Sequence, residues 1–127
     1  FVVLELPRFV VPSLRLSNPT VTQQIVWNSA ETEELWRQAC ADCHSNETDY
    51  PWYAYFPIAG WVVAKDVNEG RSALNVSEDP NANWDEMIEQ IHQRGMPLSI
   101  YLNLHPEAKL TDAQRETLMS GIQATFR

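Results

Sequence analysis

At 127 residues the chain is long enough for one domain with a modest core. Its 17 acidic residues against 9 basic ones give a formal net charge of −8, which excludes the basic footprint that nucleic-acid phosphates require. The same acidity suits steering toward a basic patch on a partner protein.

Residues 1–28 read as an extended arm or stalk, because Pro7, Pro12 and Pro19 block long helices and the apolar residues lack a helical period. The opening Phe1-Val2-Val3-Leu4-Glu5-Leu6 is too short to cross a bilayer and contains a glutamate. It reads as the last turns of a membrane anchor, or as a strand or tail packed on the domain. The chain opens on Phe1 without a complete signal peptide, as expected of a processed or trimmed form.

Residues 29–127 read as helices. Asn28 with Glu31 makes a capping box, the acidic first turn suits a helix N-terminus, and Leu35, Trp36 and Ala39 form an apolar stripe that ends at Cys40. After an aromatic stretch, a second helix is predicted from Pro57 to about Glu69, stopped by Gly70, with Ile58, Trp61, Val62 and Lys65 on one face. A third runs from Trp84 to Arg94, with an Asn83–Glu86 capping box, Met87, Ile88 and Ile91 turned inward and Gly95 as its stop. A last helix runs from Thr111 to about Thr125, capped by Thr111 with Gln114 and stapled by Leu110, burying Leu118 and Ile122. No alternating strand pattern of any length occurs. The predicted fold is all-α.

Between the first two helices lies Cys40-Ala41-Asp42-Cys43-His44, which carries the only two cysteines of the chain. C-x-x-C-H is the attachment signature of a c-type haem. Two thiols three positions apart can each add across one porphyrin vinyl group, and the next residue then lies under the iron as a proximal imidazole ligand. A redox dithiol would open a helix beside a βαβ pattern, and a structural zinc site would need two more ligands, drawn from the distant His92 and His105. A disulfide here would close a very short loop and stabilise little.

Five residues compete for the iron position opposite His44: Met87, Met96, Met119, His92 and His105. Met96 follows the helix stop and precedes Pro97, so it lies in a stiffened loop from which a thioether can reach the iron. Met–His ligation raises the reduction potential of a haem. Met87 and Met119 suit core filling, and His105, before Pro106, is the rival. The second ring N–H of His44 needs a carbonyl, for which Pro51 or Pro57 is a candidate. Arg71 and Arg94, or the indoles of Trp52, Trp61 and Trp84, are candidate propionate donors.

The segments CADCHSNETDYPWY (40–53), DVNEGR (66–71), LNVSE (74–78), GMPL (95–98), Tyr101 and LHPEA (104–108) resemble the bacterial haem-binding domain family over roughly residues 19–125. That family consists of small, usually membrane-anchored, single-haem c-type proteins. The resemblance implies a small cytochrome c-like domain wrapped around one covalent haem c, held by Cys40 and Cys43 and ligated by His44, on a tethered domain facing the periplasm. Both the Met-Pro and the His-Pro elements occur in the family, so the sixth ligand stays open between Met96 and His105. The aromatic that usually follows Ser-Glu is replaced here by Asp79-Pro80-Asn81-Ala82-Asn83.

Three functions are open. The first is an electron carrier, not an enzyme, serving a redox partner protein such as a membrane respiratory or photosynthetic complex. The second is a gas sensor or peroxide-reacting enzyme with an open iron site, and the third is a structural haem subunit of such a complex. Covalent attachment of haem implies export, hence a location in the periplasm or on the outer face of the cytoplasmic membrane.

Overall fold

The computed structural model describes residues 15–126, and every regular element among them is helical. The expected anchor remnant Phe1–Leu6, with Pro7 and Pro12, lies outside the described residues. Residues 15–28 contain no helix. Among the described residues no helix is long and apolar enough to cross a membrane. The chain divides into two compact units, one formed by residues 15–23 and 42–80, the other by 24–41 and 81–126.

In the second unit, helix α1 (Ala30–Ala39) is capped by Ser29 and not by the expected Asn28: the Ser29 hydroxyl accepts from the Thr32 amide at 3.1 Å. Asn28 instead donates its backbone N–H to the Thr125 hydroxyl. The buried face of α1 is Thr32, Leu35, Trp36 and Ala39, which includes the whole predicted stripe.

Helix α4 (Trp84–His92) carries the predicted Asn83 cap, with Met87 and Ile91 buried. Its end departs from expectation. The residue with a left-handed backbone is Arg94, at φ 62°, and not Gly95. The Gly95 amide reaches the Gln90 carbonyl and the Arg94 amide the Ile91 carbonyl, a double closure that needs a left-handed residue one place before the glycine. Beyond it lies a helix that the sequence did not announce, α5 (Ser99–Leu104), followed by a 3-10 turn at Pro106–Ala108.

Helix α6 (Asp112–Phe126) opens with the expected capping box, the Thr111 amide and hydroxyl bonded reciprocally to Gln114 at 2.8 and 3.1 Å. It buries Leu118 and Ile122 and packs on both α1 and α4. Where α6 meets α1, Gly121 leaves room for Thr32: a Cβ on the glycine would fall 2.8 Å from Thr32 Cβ. Trp84 stacks on Phe126 with ring centroids 3.6 Å apart, and Trp27 and Trp36 close the cluster edge-on or tilted.

The first unit is built on α3 (Ala59–Ala73), which packs on a 3-10 turn at Trp52–Tyr55. Gly70, expected to stop this helix, lies inside it, and the chain leaves the helix at Leu74. The face that carries Ile58 and Val62 is the exposed one, at 62% and 51%, while Gly60, Ala64 and Val67 are buried. The buried side is lined by small residues, so its apolar signal is weaker than that of the exposed one. Ile58 itself has φ 70° and ψ −64°, and the Ala59 amide bonds to the Pro57 carbonyl across it, a strained turn for a β-branched residue.

Polar side chains fasten the extended segment 17–23 to the rest of this unit. Asn18 exchanges side chain-to-backbone bonds with Thr48, Thr22 and Gln23 donate their amides to the Ser77 carbonyl, and the Gln23 side chain reaches the Val76 and Asp79 carbonyls. Arg71 joins three segments: its Nε donates to the Ser45 carbonyl at 2.8 Å, and a terminal nitrogen to Ser17 O, Asn18 Oδ1 and Thr48 Oγ1.

Candidate haem site

Helix α1 ends at Cys40, whose amide closes the last turn on the Trp36 carbonyl. The residues Ala41–His44 wind a further four-residue helix, α2, although the sequence suggested that helical structure would stop at the motif. Cys40 belongs to the second unit, and Cys43 and His44 to the first. No disulfide joins the two cysteines.

Gly70 explains how α3 approaches the motif. A Cβ at this position would stand 2.9 Å from Cys43 Cβ and press on the Cys43 carbonyl oxygen. Only a residue without a side chain permits this contact. Burial pushes the Cys43 thiol up to about 11, with the Asp42 and Asp66 carboxylates adding to the shift and Arg71 opposing it.

His44 is buried, and its Nδ1 lies 3.0 Å from the carbonyl oxygens of both Gly70 and Leu74. The carbonyls of Pro51 and Pro57, the sequence-based candidates, do not take this role. Since a carbonyl can only accept, Nδ1 carries the proton and the neutral ring presents its basic lone pair at Nε2. Burial holds His44 below the ordinary imidazole value, against the opposing pull of the Leu74 and Gly70 carbonyls, so the ring is neutral at pH 7. The Val76 amide donates to the His44 carbonyl, so the same downstream segment grips both the ring and the backbone.

Around this seat lies a buried polar network. Asn75 donates to Asn46 Oδ1 at 2.8 Å and accepts from the Ser77 amide, while the Ser77 hydroxyl accepts from the Asn46 amide. Neither asparagine was identifiable as a positioning residue from composition or spacing, although LNVSE was part of the resemblance. The signal was there as a motif without a physical reason.

In the second unit, Met96 is half-buried in the loop between α4 and α5, and its carbonyl accepts from Arg115. Met87 is buried in the core as expected, and His92 is exposed at the end of α4. His105 caps α5; its ring stacks on Tyr101 at a centroid distance of 4.2 Å, and Nδ1 lies 3.1 Å from a Glu107 carboxylate oxygen. Of the suggested propionate donors, Arg71 is committed to its own unit and Arg94 is ion-paired with Asp112. The Trp61 indole N–H is buried without an acceptor.

The donor set suits a haem. A neutral imidazole with its lone pair at Nε2, oriented through Nδ1 by carbonyls, is what a proximal ligand requires. The first unit also exposes Trp52, Tyr55, Phe56, Ile58 and Val62. No group of three or more acidic, histidine or cysteine side chains able to hold a bare metal ion occurs among the described residues.

An all-helical domain with this histidine seat is the class that fold and site define. A model of the haem-binding domain family matches residues 2–124, and the chain belongs to that family of haem proteins. No curated protein and no solved structure matches it.

Proposed function

We propose that the chain is a c-type cytochrome that carries single electrons through one covalently attached haem, and is not an enzyme. The observation that carries this reading is the seat of His44, with its Nδ1 proton held by two carbonyls, directly after two thiols at thioether spacing. The haem supplies a one-electron iron couple. Cys40 and Cys43 would hold it through thioethers, and His44, through Nε2, and Met96, through its thioether, would ligate the iron. The fixed carbonyl contacts keep the imidazole from reorienting between oxidation states, which keeps reorganisation small.

The acid excess favours a redox partner that docks through a basic surface. Thioether assembly on the outer side of the bacterial cytoplasmic membrane places the protein in the periplasm or on that membrane face, tethered through its N-terminal side. A membrane respiratory or photosynthetic complex fits as the partner.

Acid–acetone extraction of the denatured holoprotein tests the attachment. The colour is expected to stay with the polypeptide, and the mass to exceed that of the bare chain by one haem; a colourless chain of bare mass overturns the reading. Carbon monoxide tests the carrier role. The reduced protein is expected to resist low concentrations, whereas ready binding points to an open iron.

A second reading has its own support: His105 is 14% exposed at the side chain, stacked on Tyr101 and braced at Nδ1 by Glu107, the bracing typical of a ligating histidine. Met96→Ala separates the two. Loss of the far-red sulfur-to-iron band and a lower potential support Met96; an unchanged spectrum in Met96→Ala, with one altered in His105→Ala, supports His105.

A further inference from the structure

Among the described residues Arg115 is the only lysine, arginine, aspartate or glutamate that is buried, at 7% exposure. It projects from α6, and its Nη1 donates to the Ile91 carbonyl at 3.1 Å and, at the long end of hydrogen bonding, to the Met96 carbonyl at 3.4 Å. Its Nε has no acceptor, and no carboxylate among the described residues pairs with it. A buried cation without a counter-ion is costly, and an apolar side chain of similar volume would fix α6 against α4 more cheaply. Packing alone therefore does not account for an arginine here.

The two acceptors do. The Ile91 carbonyl also receives the Arg94 amide that closes α4, so the guanidinium grips the turn at its closing bond and, five residues on, the backbone of Met96. We propose that Arg115 is a positioning residue for Met96, and that its buried charge favours the reduced iron to which Met96 is bound. This rests on the assignment of Met96 as ligand. In the redox step ferric iron takes one electron from the partner protein and becomes ferrous, with no proton moved and one positive charge lost at the metal. A fixed cation held against the ligand's own backbone disfavours the more positive state and so raises the potential.

The test compares Arg115→Met, Arg115→Lys and Met96→Ala holoproteins by midpoint potential, far-red charge-transfer band, and amide hydrogen exchange at residues 94–98. Arg115→Met is expected to lower the potential, weaken the band and speed exchange at Gly95 and Met96. Arg115→Lys, which keeps the charge and a donor, is expected to recover most of the potential. Should Arg115→Met not fold, Arg115→Gln carries the same expectation. Wild-type potential, band and exchange in Arg115→Met, with the band lost in Met96→Ala, overturn the role of Arg115 and leave the ligation standing. A band unchanged in Met96→Ala overturns the ligation itself, and the electrostatic half of this inference with it. A fall in potential that Arg115→Lys fails to recover overturns the charge effect.

Discussion

Gly70 lies against Cys43 so closely that a single added carbon would press on the Cys43 carbonyl oxygen and stand 2.9 Å from its Cβ. The same glycine offers its own carbonyl to His44 Nδ1. Helix α3 thus reaches the haem motif through a residue chosen for having no side chain.

Gly70→Ala pits two effects against each other. Alanine in a helix interior gains roughly 1 kcal/mol over glycine, but the clash is with backbone, which cannot swing away. Overpacking costs about 1–3 kcal/mol, and here its upper half is expected. Denaturant titration of the holoprotein should show a net loss of stability, and a gain would show that α3 can shift freely.

At Gly121 the obstruction is the Thr32 side chain instead, so it is removable. Gly121→Ala is expected to destabilise by about 1–2 kcal/mol, and Thr32→Ala in the same chain to recover part of that loss. A double-mutant cycle measures the coupling. Strict additivity would mean that α1 and α6 do not meet at these two residues.

Asn75→Ala removes the partner of the Ser77 amide and of Asn46 Oδ1, both buried. Leaving two buried polar groups unmet is expected to cost about 2–4 kcal/mol. Because this network backs the segment that holds His44, the haem spectrum should broaden or shift as well. Lost stability with an unaltered spectrum would confine the network to a structural role.

Burial raises the Asp66 carboxyl above its usual value, with Glu69 adding to the shift and Lys65 opposing it. A raised folded pKa means that the folded state binds more protons in that window, so this group's contribution to stability declines as pH rises from about 4 through the folded value. Asp66→Asn should therefore raise the thermal midpoint at pH 7 and have less effect near pH 3.5. An equal shift at both pH values would rule out ionisation as the cause.

Most local caps and stripes were legible, although the cap of α1 falls on Ser29 and not on Asn28. Asn83, Thr111 with Gln114, and the Leu35–Trp36–Ala39 stripe follow from spacing alone. The end of α3 was misread because Gly70 answers to a neighbour distant in sequence, and a contact of that kind leaves no trace in periodicity. The inward face of α3 was not legible either: the buried Gly60, Ala64 and Val67 carry less apolar bulk than the exposed Ile58 and Val62. Helix α5 lacks a side-chain cap, and none of its residues is buried, which removes both of the usual signals. Among the candidate site residues, the motif and Met96 stood out by chemistry. The carbonyls of Gly70 and Leu74, and the grip of Arg115, belong to the backbone and to folding, and no residue type announces them.

The two oxygen atoms that seat His44 lie 26 and 30 residues after it in the chain. A nascent polypeptide therefore carries its paired thiols and imidazole for some time before anything exists to orient the ring. Chemistry on those sulfurs meets a pliable strand if it comes early, and a histidine already locked in place if it comes late. The order of ligation and folding is thus written into the distance between His44 and Leu74.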